Sequence, residues 1–211
     1  MTAEKQLQEI RTLFKKHGQY SQGLKALGIE GRRDSDFRYQ LYNLDSYIKE
    51  SFDVLDIGCN CGFFSCLLAQ RVNHVRGIDK DETLIQIANI ASDLMRTTFK
   101  THFICADFKT FDGIKQYDLV IASQIHYWVN MSFAKYAEKA TGMVKKGGFL
   151  LFESHDIDTV DKDLTCKMCT LSHNGLVTVY SGDYVEDPGQ YWIPPKAHKK
   201  IPRKFYLMQK I

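Results

Sequence analysis

No apolar run in this chain of 211 residues approaches the roughly 20 residues needed to cross a bilayer. The polar start MTAEKQLQEIRTLFKK also lacks the apolar centre of a secretory signal. Both absences lead to the expectation of a soluble, cytoplasmic protein with no membrane partner. Cysteine is sparse: the six, at positions 59, 61, 66, 105, 166 and 169, fall mostly inside apolar segments. They are too few and too scattered for a disulfide framework, so reduced thiols are expected. Acidic residues are missing from one end only. Residues 188–211 hold six Lys/Arg and no Asp or Glu, which leaves 22 basic against 25 acidic residues before them, net −3 beside an overall +3. A charge run of this kind is usually a solvated face, although it also suits an anionic partner.

What is present has the composition of one ordinary globular domain with a small appendage, 44% apolar and 25% charged. Between residues 53 and 153, short apolar runs alternate with longer amphipathic ones, the pattern of strands and helices building a parallel sheet. Strands are expected at 53–57, 74–79, 102–106, 119–123 and 148–153, and helices at 62–71, 82–95 and 132–144. The last helix would end on the basic pair and glycine of Lys145-Lys146-Gly147. Upstream, a helix near 3–16 and a second carrying Phe37, Leu41, Leu44 and Ile48, N-capped by Asp34 or Ser35, form an expected helical cap over residues 1–50. Residues 51–211 are the main domain. In it, 176–180 and 204–208 are β-like, joined by the proline- and base-rich DPGQYWIPPKAHKKIPR, read as a long loop.

The stretch VLDIGCNCGFF, residues 54–64, follows the first strand and opens a helix. Glycines there permit a tight turn and a close backbone approach to a ligand, while helix N-terminal amides favour negative charge. Their spacing is G-x-x-x-G, so the dinucleotide fingerprint G-x-G-x-x-G is absent and a nicotinamide dehydrogenase is disfavoured. Asp79, 17 residues beyond Gly62, closes the second strand, where a carboxylate can accept both hydroxyls of a ribose. Asp107 closes the third. Strand C-termini on one edge are where an open α/β sheet binds its ligand, so loop and acids should share one crevice. Cys59 and Cys61 are poorly placed for a disulfide and have no evident metal partners, which leaves the function to the glycines. Cys166-Lys167-Met168-Cys169 with His173 supplies three potential zinc ligands but no second CxxC. A helix with buried thiols is the ordinary reading, and no metal is assigned.

Taken in order, VLDIGCNCGFF, GIDKD, CADF, YDLVIAS and KKGGFLLFES resemble the successive motifs of the class I S-adenosylmethionine-dependent methyltransferases over residues 52–155. The resemblance implies a Rossmann-like, doubly wound, mostly parallel sheet with an antiparallel C-terminal strand, and S-adenosylmethionine as cofactor. It also implies that the loop of Gly58, Cys59, Asn60 and Gly62, with Asp56 before it, approaches the methionyl part. Asp79 would bind the ribose hydroxyls, Asp107 the adenine amino group, and the backbone of Phe108 a ring nitrogen. Lys80 stands where the family usually has an apolar residue packed on adenine, a place its aliphatic stem can fill. Ser123, at the end of the fourth strand, belongs to the edge where the methyl group should point. A nucleotide-binding α/β protein without transferase activity is the bland alternative.

Methyl transfer from a sulfonium is an in-line displacement, so an enzyme mainly aligns the acceptor atom and, where needed, removes a proton. His126, after the fourth strand, and His155, after the fifth, are the candidate bases, with structural hydrogen bonding as the competing reading. Tyr127 and Trp128 offer π faces to a sulfonium or an acceptor ring but equally serve as packing. An arginine among Arg32, Arg33 and Arg38 in the cap could pair with the cofactor carboxylate or an anionic acceptor, although exposed structural charge is the ordinary account of any one of them. The reading favoured is transfer to oxygen or nitrogen of a small-molecule acceptor. The alternative is an RNA or other phosphate-bearing acceptor, gripped by the basic 196–204 segment with Tyr191, Trp192, Lys196, Lys199, Lys200 and Arg203. DIGCN and a tryptophan after the fourth strand also resemble RNA 5′-phosphate methyltransferases, in short matches that occur widely. A second alternative is a non-catalytic cofactor-binding regulator or partner subunit.

Overall fold

The computed structural model describes residues 2–17, 22–31, 33–113, 115–186 and 200–211. Seven strands form one sheet: β3 (Asp53–Ile57), β4 (His74–Asp79), β5 (Thr101–Cys105), β6 (Tyr117–Ser123), β7 (Val144–Glu153), β8 (Leu176–Glu186) and β9 (Ile201–Lys210). Two short strands before them, β1 (Gln22–Gly23) and β2 (Arg33–Asp34), pair with each other in parallel. The spatial order is β5-β4-β3-β6-β7-β9-β8. The first five of these strands run parallel, and β9 is antiparallel to both neighbours. The sheet is thus Rossmann-like and mostly parallel, as the motifs imply.

Helices cover both faces, which is why the central strands read as continuous apolar runs rather than alternating ones. In β6, Val120 and Ala122 join a core with Tyr136, Ala137 and Ala140 of α5 (Phe133–Gly142) and Leu164 and Leu171 of α6 (Leu164–His173). The intervening Leu119 and Ile121 face Phe64 and Leu68 of α3 (Phe63–Ala69). This is the period-two alternation of a strand buried on both sides. On the α3 side, α1 (Ala3–His17) inserts Ile10 and Phe14 against α4 (Glu82–Leu94), where Ile87, Ala88 and Ala91 are buried.

Three boundaries differ from the sequence expectation. Lys145-Lys146-Gly147 lies inside β7, not at a helix end: Val144 already pairs with Tyr117, and a register shift follows before Leu119 pairs with Phe149. The cation that closes α5 comes instead from β9, where Lys210 Nζ donates to the carbonyls of Thr141 and Val144 at 2.9 and 2.8 Å. The helix of Phe37 and Leu41, α2 (Ser35–Leu41), is N-capped by Asp34, which accepts from the Phe37 amide. It stops short of Leu44 because Asn43 turns left-handed at φ 49° and a 3-10 turn begins at Leu44. Strands β8 and β9 are longer than expected, and 187–199 of the intervening segment lies outside the described residues. Among the described residues, no helix is long and apolar enough to cross a membrane.

Candidate functional site

A cavity of about 380 Å³ opens at the C-terminal ends of the parallel strands. Of the ten residues expected at a cofactor, Gly58, Asn60, Asp79, Lys80, Asp107, Phe108 and Ser123 line it. Its floor is the turn after β3, stitched to β4 by the amides of Gly58 and Cys59, which both donate to the Ile78 carbonyl at 2.8 and 3.0 Å. Gly58 has φ 70°, and a Cβ there would sit 2.5 Å from Ile125 Cδ1, itself a wall residue. Only glycine holds this turn without strain or obstruction.

Asp79 is half-buried, and its two carboxylate oxygens accept from the Asn60 amide at 2.9 Å and the Asp81 amide at 3.0 Å. Burial pushes its pKa up, against those two amides. Each oxygen keeps a lone pair for a further donor. Asp107 is exposed, with Oδ1 accepting from the Lys109 amide at 2.8 Å. Phe108 is buried beneath it.

Asp56, Cys59 and Gly62 are not among the wall residues. Asp56 is buried and accepts from Ser65 Oγ at 2.6 Å, tying β3 to α3; burial, opposed by Ser65 and Arg38, lifts its pKa to about 6. Gly62 has φ 69°, and a Cβ there would meet Ala88 and Phe103 within 3 Å, so it serves helix–sheet packing. Cys59 and Cys61 are buried free thiols; Cys61 Sγ donates at 3.4 Å to Oε1 of Gln22, a wall residue. Cys66 is likewise buried, and burial pushes its thiol up to about 12.

Ser123 belongs to a polar hub. The Glu153 carboxylate, wholly buried, accepts from Arg33 Nη2 at 2.8 Å, from Gln124 Nε2 at 3.2 Å, and from the hydroxyls of Ser123 and Tyr184. Burial alone would raise its pKa, yet Arg33 and then Arg38 hold it down to about 2. Arg33 Nη2 also donates to Ser123 Oγ at 2.9 Å, while its buried Nε finds no hydrogen-bond partner among the described residues. Arg33 lines the cavity, and Arg38 is buried with its guanidinium 5.1 Å from the Phe64 ring centre. Arg32 lies outside the described residues.

The two candidate bases sit behind the wall. His126 and His155 are both buried, with ring centres 4.8 Å apart. Asp161 accepts from His126 Nε2 at 2.9 Å, from Lys167 Nζ at 2.6 Å and from the His155 amide at 2.6 Å. Burial, helped by His126, drives the pKa of His155 down to about 3, so its ring is neutral at physiological pH. Neither ring lines the cavity, whereas Trp128 and Val129 of the same 3-10 turn, His126–Val129, do.

Wall residues that spacing did not single out include His17, Gln22, Asp81, Leu84, Ile125 and Val129. Asp81 had a readable signal, an N-cap acid three residues before Leu84, whose amide donates to it at 3.1 Å. His17, at the end of α1, reaches Asp81 at 2.9 Å through the fold alone.

Two expectations change. Cys166 and Cys169 stand on α6, as a helix required, but both are exposed rather than buried. Among the described residues, no group of three or more His, Cys, Asp or Glu side chains could hold a metal ion. In the basic 196–204 segment, Arg203 is buried and donates to Glu186 at 2.5 Å, so it is unavailable to a phosphate. Lys196, Lys199, Tyr191 and Trp192 lie outside the described residues.

A family model for a methyltransferase domain matches residues 54–148. The ubiquinone biosynthesis O-methyltransferase of Hydrogenovibrio crunogenus is 32% identical over 107 residues, 50% of this chain and 43% of its own length. A malonyl-[acyl-carrier protein] O-methyltransferase of Priestia megaterium is 26% identical over 132 residues, 61% of this chain and 46% of that protein. The chain therefore spans less than half the length of these two relatives. Among solved structures, the N-methyltransferase NodS of Bradyrhizobium japonicum, in complex with S-adenosyl-L-homocysteine, superposes with a TM-score of 0.62 at 15% identity, covering 82% of this chain and 84% of NodS. At that identity the likeness speaks for the fold.

Proposed function

Because residues 54–148 form a methyltransferase domain on a Rossmann-like methyltransferase sheet, we propose that the chain moves a methyl group from S-adenosylmethionine to an oxygen or nitrogen atom of a small-molecule acceptor. One observation carries this reading: the Gly58 turn, Asp79, Asp107 and Ser123, far apart in the chain, face a single cavity. The residues present fit the cofactor. Asp79 retains lone pairs for two ribose hydroxyls, and the bare Gly58 backbone gives room beside Ile125. When bound, the cofactor supplies an electrophilic methyl carbon on a sulfonium.

The chain's own part is mostly alignment. The cavity wall formed by Ser123, Ile125 and Trp128 holds the acceptor, and the Arg33–Glu153 hub fixes Ser123. Where an acceptor hydroxyl must lose its proton, His155, held as a free base behind the Trp128 wall, and His126 beside it are the candidate imidazoles on that side, while His17 lines the cavity near Asp81. Calorimetry with S-adenosylhomocysteine and S-adenosylmethionine tests the premise: absence of binding by the unmutated chain would sink the catalytic reading. Incubation with methyl-labelled cofactor and fractionated extract then identifies the acceptor; label in small molecules is expected, and label in RNA would favour the phosphate-bearing alternative. Binding without any turnover would favour the non-catalytic regulator.

A further inference from the structure

Among the described residues, Tyr127 and Trp128 are two large aromatics placed side by side in water, each 60% exposed. Single exposed apolar residues need no explanation; a contiguous aromatic pair at the mouth of a cavity does. Trp128 belongs to the cavity wall and to the surface at once. Its ring meets that of Tyr127 edge to face, with centres 5.2 Å apart and planes at 88°, so their faces look in different directions and one π face is not spent on the other.

The pair is rigid. Both residues belong to the 3-10 turn His126–Val129, closed by the Trp128 amide donating to the Ile125 carbonyl at 2.9 Å. The turn is anchored from below by His126 on Asp161, itself held by Lys167. His155 packs its ring against both aromatics, at 5.6 Å from Tyr127 and 6.4 Å from Trp128, and its buried Nε2 has no hydrogen-bond partner among the described residues. A fixed apolar platform with a neutral imidazole beneath it binds at low ordering cost.

The charge around it selects the occupant. An aromatic corner can also hold an ammonium group, but such sites gain from a carboxylate close by. The wall residues on this side, Ser123, Gln124, Ile125 and Val129, carry none, and Glu153 behind them is already matched by Arg33. The cavity's acids, Asp79, Asp81 and Asp107, stand at or just beyond the ends of β4 and β5 instead.

We propose that the acceptor is a flat, uncharged aromatic or heteroaromatic ring bearing the hydroxyl or amino group to be methylated, stacked on Trp128 with Tyr127 as its side wall. This rests on the methyl-transfer reading and names the acceptor class within it. The test uses the whole chain saturated with S-adenosylhomocysteine. Calorimetric titration with catechol, 4-nitrophenol, indole and adenosine is compared with choline and malonate. At least one ring compound should bind saturably at millimolar concentration or below, and choline and malonate should not. Trp128→Ala should weaken that ring at least tenfold and Trp128→Phe should restore it to within threefold, with S-adenosylhomocysteine affinity unchanged in both. The inference is overturned if choline binds and the rings do not, if no ring binds to the loaded protein, or if Trp128→Ala weakens S-adenosylhomocysteine as much as the ring. Failure of the unmutated chain to bind S-adenosylhomocysteine is a different result, which removes the methyltransferase reading itself.

Discussion

Two carboxylates mark the same edge of the sheet and are treated in opposite ways. Asp79, at the end of β4, is half-buried, bonded among the described residues by two backbone amides, and pushed upward in pKa. Glu153, at the end of β7, is wholly buried, yet Arg33 and Arg38 hold it down to about 2. Burial acts in the same direction on both; the counter-cation decides the outcome. One half of the edge therefore keeps an acid ready for a ligand, while the other spends its acid on holding Arg33 and the β2 segment to the sheet.

The sharpest way to break this contrast is to remove the spent acid. Glu153→Ala leaves two arginines buried without their anion, and a urea melt should show a loss of roughly 3–5 kcal/mol. Glu153→Gln gives its pH signature. Because the folded pKa of about 2 lies below the ordinary 4.5, the charge of Glu153 stabilises the fold above about pH 4.5 and loses that effect as pH falls toward 2. The stability gap between the unmutated chain and Glu153→Gln should therefore be open at pH 7 and narrow through that window; a gap independent of pH would contradict the assignment.

On the ligand side, Gly58→Val introduces a branched side chain at positive φ against Ile125, and S-adenosylhomocysteine affinity should fall by about 100-fold or more, near 3 kcal/mol by calorimetry. Asp79→Asn should lower the same affinity about tenfold, near 1.4 kcal/mol, while thermal melting stays close to that of the unmutated chain. That pattern is the reverse of Glu153→Gln, and a large drop in melting temperature for Asp79→Asn would erase the distinction. The smallest effect belongs to Cys59→Ala, which empties a buried thiol at about 1 kcal/mol of stability but should leave S-adenosylhomocysteine affinity within about threefold.

The same division governs what could be read in advance. The glycine turn, Asp79 and Asp107 each belong to one strand and the turn that follows it, so period and spacing locate them; β3 and β4 begin and end where the apolar runs do. The hub resists such reading because Arg33 and Glu153 are 120 residues apart and meet only in the folded chain. Lys145-Lys146-Gly147 misleads for a local reason: a basic pair and a glycine look the same in a helix end and in an irregular strand start, and only pairing with Tyr117 separates the two. Exposure of Cys166 and Cys169 depended on which face α6 turns inward, and that face is set by Leu164, Lys167 and Leu171.

The position of β9 has a consequence for biogenesis. It follows β8 in the chain but lies between β7 and β8 in the sheet, hydrogen-bonded to both. A ribosome delivers residues 201–210 after the other described strands, so until they emerge β7 presents an open edge and β8 has no partner among those strands. The nascent protein therefore carries a complete set of ligand-facing turns on a sheet that is still split. Completing the described sheet is an insertion rather than an addition, and before that step unpaired strand edges are prone to wrong pairing and to chaperone capture.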